Sequence, residues 1–313
     1  MSKFSIFDFK GVIPAMLTPF DLSGNLDEEG IREMVNYLLS FDIGGLYLTG
    51  STGETFLMDS DERKKALEII VDEVKDRVPL VVHIGTISTD KAIDLAKHAE
   101  QLGVTGISSV PPFYWKFSEE SIYNYYHDIA SSVDLPMLIY NLPLAGMMSV
   151  NMIAKLAKIP NVKGIKYTGT ALYELTQIKD MTSEDFLLYG GADELASSNL
   201  SLAVDGIIGS FYNLIPDLFI KINQLIVEGD NKKAQKYQKD GLRLIMDVLK
   251  HDSMVGAIKA ILRAAGIKAG YARKPFINFT GQNEADIVKS FLAVAEKYQI
   301  TDLDIIDRLK KKD

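Results

Sequence analysis

The 313-residue sequence contains no cysteine. Without thiols there is no disulfide framework, no cysteine nucleophile and no cysteine-ligated metal. Basic residues are in deficit: 34 Lys and Arg stand against 42 Asp and Glu, a formal net charge of −8. That balance argues against a nucleic-acid surface, which needs a basic stripe. Small anionic substrates remain open, because a local site can oppose the global sign. Histidine is scarce. His83, His98, His127 and His251 form no His-x-x-x-His pair and sit in no ligand spacing, so no metal is expected. No run approaches the ~18 apolar residues that suggest a membrane span. The start, "MSKFSIFDFK", lacks the apolar core of a signal peptide. A soluble, cytoplasmic protein is the expectation.

What is present is apolar and ordered in pattern. Hydrophobic residues make up 47% and charged residues 24%, the balance of a well-cored globular chain. Eight short apolar runs read as strands: "GVIPAML" (11–17), "GGLYLTG" (44–50), "PLVVHIG" (79–85), "TGISSV" (105–110), "PMLIYN" (136–141), "VKGIKYT" (162–168), "FLLYGG" (186–191) and "DGIIGS" (205–210). They alternate little between apolar and polar, as strands covered on both faces do.

Helical periodicity separates most of them. "LDEEGIREMVNYLLSF" places Ile31, Met34, Val35, Leu38 and Leu39 on one face. "DSDERKKALEIIVDEVK" opens with cap candidates and first-turn acids, and "STDKAIDLAKHAEQLG" ends on a glycine suited to C′. This alternation predicts a (β/α)8 TIM barrel over residues 1–220, with an open doubly wound sheet as the competitor. After Pro216 only helical patterns follow, including two helices broken at "EGDN". Residues 221–313 are therefore expected to form the last barrel helix and a C-terminal helical extension, with "RLKKKD" a solvated helix end.

In such a barrel the C-terminal ends of the strands line the active site. Polar residues collect there: "TGSTGE" after strand 2, "YNLP" after strand 5, "KYTG" after strand 6, "GGADE" after strand 7 and "GS" after strand 8. Lys166 is the oddest, an amine at the end of an apolar strand. Desolvation lowers an amine's affinity for its proton, and a neutral amine attacks a ketone to form an imine. The plain alternative is a lysine paired with a carboxylate. Gly50 and Gly53 in "TGSTGE" free a turn in which Ser51 and Thr52 offer hydroxyl and N–H donors to an anion; the alternative is an ordinary glycine-rich turn. Tyr140 can carry a proton, or simply anchor the rim. Asp193 and Glu194 suit either a helix N-terminus or the hydroxyls of a polyol.

Taken together, "GSTGE" (50–54), "YNLP" (140–143) and "GIKYT" (164–168) resemble the motifs of the N-acetylneuraminate lyase and dihydrodipicolinate synthase superfamily. The resemblance runs from "GVIPAMLTPF" to "RKPF" at 273–276. It implies a homotetrameric barrel enzyme with a lysine Schiff base to pyruvate and no external cofactor. By resemblance Lys166 forms the imine, Tyr140 relays the proton, and Ser51 and Thr52 hold the pyruvate carboxylate. The synthases carry an arginine shortly after the tyrosine motif; none occurs between Tyr140 and Lys166. The lyases are matched more closely. In them, residues matching Thr168, Gly191, Asp193, Glu194 and Ser210 contact the hydroxylated tail of the substrate. Phe211 departs from the small polar residue common there. Tyr114 matches an aromatic that reaches a neighbouring subunit's site in the synthases. The resemblance thus implies a pyruvate-dependent aldolase acting on N-acetylneuraminate. The alternatives are a lyase for a shorter 2-keto-3-deoxy sugar acid, a dihydrodipicolinate synthase, or a barrel that binds a keto acid without chemistry.

Overall fold

The computed structural model describes residues 2–311; Met1 of the opening segment and the last two residues of "RLKKKD" lie outside it. Eight strands appear in the predicted order: β1 (Gly11–Pro14), β2 (Leu46–Leu48), β3 (Leu80–His83), β4 (Gly106–Ser109), β5 (Met137–Asn141), β6 (Val162–Tyr167), β7 (Leu187–Gly190) and β8 (Gly206–Gly209). They form one parallel sheet in the order β1-β8-β7-β6-β5-β4-β3-β2. The Gly44 N–H donates to the Val12 carbonyl at 2.9 Å, tying the approach to β2 back to β1. The result is a nearly closed (β/α)8 TIM barrel. Nearly every strand residue is buried, which accounts for the missing alternation in the sequence.

The first strand is shorter than its apolar run. Beyond Pro14 the backbone finds other partners: Ala15 N–H donates to the Gly209 carbonyl, and Leu17 N–H to the Asn213 side chain at 3.1 Å. The Asn213 amide donates to the Ala15 carbonyl at 2.7 Å. A side chain replaces the next rung of the ladder, so apolar character alone cannot mark where the strand ends.

Twelve α-helices are found among the described residues. In chain order they are α1 (Glu28–Leu38), α2 (Ser60–Val74), α3 (Thr89–Gln101), α4 (Glu119–Ser131), α5 (Val150–Leu156), α6 (Tyr173–Met181) and α7 (Ala196–Ser201), then α8 (Pro216–Val227), α9 (Asn231–Leu249), α10 (Met254–Ala264), α11 (Gln282–Lys297) and α12 (Asp304–Lys310). Their starts follow local chemistry. Asp27, Asp59, Ser118 and Ser149 each accept an N–H of the first turn through the side chain, and Asp59 with Glu62 completes a capping box. The break predicted at "EGDN" separates α8 from α9, with Asp230 capping the latter.

Two compact units interleave along the chain. One comprises the N-terminal stretch to Ile13, Gly44–Leu48 and Asp76–Ile208, and so carries most of the sheet with α3–α7. The other comprises Pro14–Ile43, Thr49–Lys75 and the chain from Gly209 onward, with α1, α2 and α8–α12. No helix among the described residues is long and apolar enough to cross a membrane.

Candidate active site

The register of the parallel sheet determines which side chains meet in the first unit. Tyr140 on β5 and Lys166 on β6 are direct partners, and neighbours in register project to the same face. Lys166 is 4% exposed. Its Nζ lies 4.3 Å from the centroid of the Tyr140 ring and 4.6 Å from that of Tyr47, which sits on β2. The two rings meet edge to face at 5.9 Å. Among the described residues, no carboxylate pairs with the Lys166 amine. The amine is thus buried between two π faces, which attract positive charge, and it is free of the ion pair that would occupy it.

Its neighbours are tightly fixed. Tyr47 Oη donates to Ser108 Oγ at 3.1 Å. His83 on β3 packs edge to face on Tyr140 at 5.9 Å, and its Nε2 accepts the Val110 N–H at 3.4 Å. Asn141 Oδ1 accepts the Met148 N–H at 2.8 Å, and its amide donates back to the Met148 carbonyl, which clips the loop after β5. Tyr167, one residue beyond Lys166, points to the other face of β6 and donates to Glu174 Oε2 at 2.6 Å. Burial, and then that bond, push its phenol well above the usual tyrosine range. Of the two tyrosines, Tyr140 is the one beside the amine.

Thr168 and Gly191 adjoin Lys166. A Cβ on Gly191 would fall 1.9 Å from Thr168 Oγ1 and 3.2 Å from Lys166 Cε, so only glycine leaves that space open. Thr168 Oγ1 is buried without a hydrogen-bond partner, an orphan hydroxyl beside the amine. Asp193 (5% exposed) and Glu194 share a 3-10 turn, Asp193–Leu195, after β7. Tyr114 is 82% exposed, adopts φ +81°, and stacks edge to face on Trp115 at 4.8 Å.

In the second unit, Thr52 Oγ1 and Ser210 Oγ are 2.7 Å apart. Thr52 is 5% exposed and Ser51 half-buried. Their turn is closed by Glu54 N–H donating to the Ser51 carbonyl and Thr55 N–H to that of Gly50. Phe211, the departure noted in the sequence, is buried in the 3-10 turn that follows Ser210. The described residues contain no cluster of three or more acidic or imidazole groups suited to a metal.

Two residues here escaped sequence reasoning. Tyr47 lies inside "GGLYLTG", where an aromatic reads as an ordinary strand residue, and His83 lies inside "PLVVHIG". Their significance comes only from the closing of the sheet, which carries β2 and β3 to the face that Tyr140 and Lys166 occupy.

The sequence fits the model of the dihydrodipicolinate synthetase family over residues 8–293. The chain belongs to this family. Within the family, an N-acetylneuraminate lyase from Citrobacter koseri is 38% identical over 273 residues, covering 86% of this chain and 91% of that protein. A Clostridium difficile relative, CdNal, solved in complex with mannosamine, superposes with a TM-score of 0.87 at 34% identity, over 92% of this chain and 99% of that one. A dihydrodipicolinate synthase from Bacillus anthracis superposes with a TM-score of 0.85 at 29% identity, over 94% of this chain and 99% of that one. Both of these solved structures share this backbone.

Proposed function

We propose that the protein is a class I pyruvate aldolase, a carbon–carbon lyase that cleaves N-acetylneuraminate reversibly to N-acetylmannosamine and pyruvate. The observation that carries this reading is the unpaired Lys166 amine held between the faces of Tyr47 and Tyr140. Relatives at 36–38% identity that are N-acetylneuraminate lyases support the choice of substrate.

In the cleavage direction Lys166 attacks C2 of the open-chain keto acid, and loss of water leaves a protonated imine. Tyr140, together with the substrate carboxylate, takes the proton of the C4 hydroxyl. The C3–C4 bond breaks, its electron pair moves into the iminium, and the aldehyde leaves. The resulting enamine takes a proton at C3, and water then releases pyruvate from the lysine. The aromatic faces suit the cationic imine. Ser51 and Thr52 are the donors for the keto-acid carboxylate. Thr168, Gly191, Asp193, Glu194 and Ser210 are assigned to the hydroxylated tail. The chemistry requires no cofactor beyond the lysine.

The synthase reading draws support from the Bacillus anthracis neighbour. The absence of arginine between Tyr140 and Lys166 weighs against it, because that reaction binds a second carboxylate. We further assign the enzyme to the cytoplasm as a homotetramer, with the exposed Tyr114–Trp115 pair at a subunit contact.

Borohydride reduction in the presence of pyruvate, followed by peptide mass analysis, tests the reaction class. A pyruvyl adduct on the peptide containing Lys166 is expected, and an adduct elsewhere or none at all rejects the mechanism. Comparing turnover of N-acetylneuraminate with that of a shorter 2-keto-3-deoxy acid tests the substrate.

A further inference from the structure

The turn Thr49–Glu54 is bracketed by two non-glycine residues in the left-handed region, Thr49 at φ +48° and Glu54 at φ +61°. Side-chain-bearing residues persist there only where the surroundings hold them. Lys259, in the middle of α10, is fully buried. It spends three donors on three acceptors: Glu54 Oε1 at 2.6 Å, the Thr18 carbonyl at 2.7 Å and the Tyr271 carbonyl at 2.8 Å. The second Glu54 oxygen accepts the Arg273 backbone N–H at 2.6 Å. Thr18 Oγ1 donates to the Gly53 carbonyl at 2.9 Å. At Gly53 a Cβ would meet the Met16 carbonyl and Thr18 Oγ1, both at 3.1 Å, so the turn has little slack on that side.

We propose that Lys259 is a positioning residue for keto-acid binding: through Glu54 it holds the Ser51–Thr52 turn in the shape that receives the substrate carboxylate, and it cancels a buried negative charge two residues from Thr52. This inference rests on the aldolase reading above. An unpaired Glu54 carboxylate would oppose an incoming anion. The pair therefore acts on geometry and on charge at once. It also gives the helices that follow β8 a part in the chemistry, although none of their residues needs to touch the substrate.

A buried ion pair can also serve the fold alone, and the test must separate the two roles. Removing one partner strands a buried charge and destabilises, whereas removing both charges is often neutral. Pyruvate is therefore titrated in the borohydride-trapping assay with the parent protein, K259M and the double variant K259M/E54Q, alongside thermal melts. The double variant is expected to melt near the parent and to reach the parent's adduct level at saturating pyruvate. Its half-saturating pyruvate concentration rises about tenfold or more, the scale of a small misplacement of a binding group. A folded double variant with the parent's half-saturation overturns the proposal. A parent protein that yields no adduct removes the aldolase reading and this inference with it, an outcome distinct from the first.

Discussion

Tyr140 and Lys166 are register partners on adjacent parallel strands, and the amine sits over the face of the phenol ring, 4.3 Å from its centroid. No hydrogen bond joins the amine to the Tyr140 hydroxyl. The ring and the hydroxyl are therefore separable: one packs against the nitrogen and the other makes no bond to it.

Tyr140→Phe keeps the packing and removes the proton carrier. It is expected to form the borohydride-trapped pyruvyl adduct, while cleavage falls by about 10²–10⁴-fold, the usual weight of general acid–base catalysis. Parallel measurement of adduct formation and cleavage rate checks this. Loss of both to the same degree would assign Tyr140 to imine formation instead.

Tyr47 is the second face. Tyr47→Phe preserves the face and loses the bond to Ser108, whereas Tyr47→Leu removes the face. A cation–π contact of about 0.5–2 kcal/mol predicts that adduct formation drops by roughly 2- to 30-fold in the leucine variant and much less in the phenylalanine variant. Equal effects of the two substitutions would show that the hydroxyl, and not the ring, matters.

Gly191→Ala forces a methyl group into Thr168 Oγ1 and against Lys166 Cε. The expected outcome is a loss of cleavage activity well beyond the loss of thermal stability, because the displaced groups are those beside the amine. Gly191→Ala combined with Thr168→Ser is expected to stay impaired, since the hydroxyl remains in the way. Thr168→Ala in the same background relieves the 1.9 Å clash only in part, because an alanine Cβ remains 3.0 Å away.

Lys259 gives a pH signature. Burial pulls its ammonium down to about 8, and Arg263 and Arg273 push the same way against the upward pull of Glu54. Between about pH 8 and the ordinary lysine value the unfolded chain holds a proton that the folded protein has released. Stability contributed by this group therefore rises with pH through that window and is lost as pH falls through 8. Denaturation midpoints measured from pH 7 to 10.5 are expected to show this rise as a difference between the parent and K259M/E54Q. A constant difference across the range would contradict it.

The barrel was legible because its strands are short, continuous and apolar, and because "DSDE", "FSEE" and "MSVN" announce helix starts through their capping side chains. Lys166 stood out because it ends the apolar strand "VKGIKYT"; the same stretch holds Lys163, and only the structure separates them, with Lys163 exposed and Lys166 buried. Lys259 did not stand out. In "MVGAIKAILRAAG" a lysine reads as the solvated edge of an amphipathic helix, and its partner Glu54 lies 205 positions away. Only tertiary structure reveals that the charge is internal. The end of β1 was hidden for a similar reason, since Asn213 supplies from the far end of the barrel sequence the bonds a longer strand would have made.

The bond from Gly44 to the Val12 carbonyl has a consequence for how copies of this chain can associate. A sheet whose two end strands, β1 and β2, are this short and are tied at the approach to β2 offers no long row of unpaired amides for another molecule to extend. The homotetramer proposed above would then be written in side chains and loops, where it could be weakened one residue at a time without unravelling the barrel.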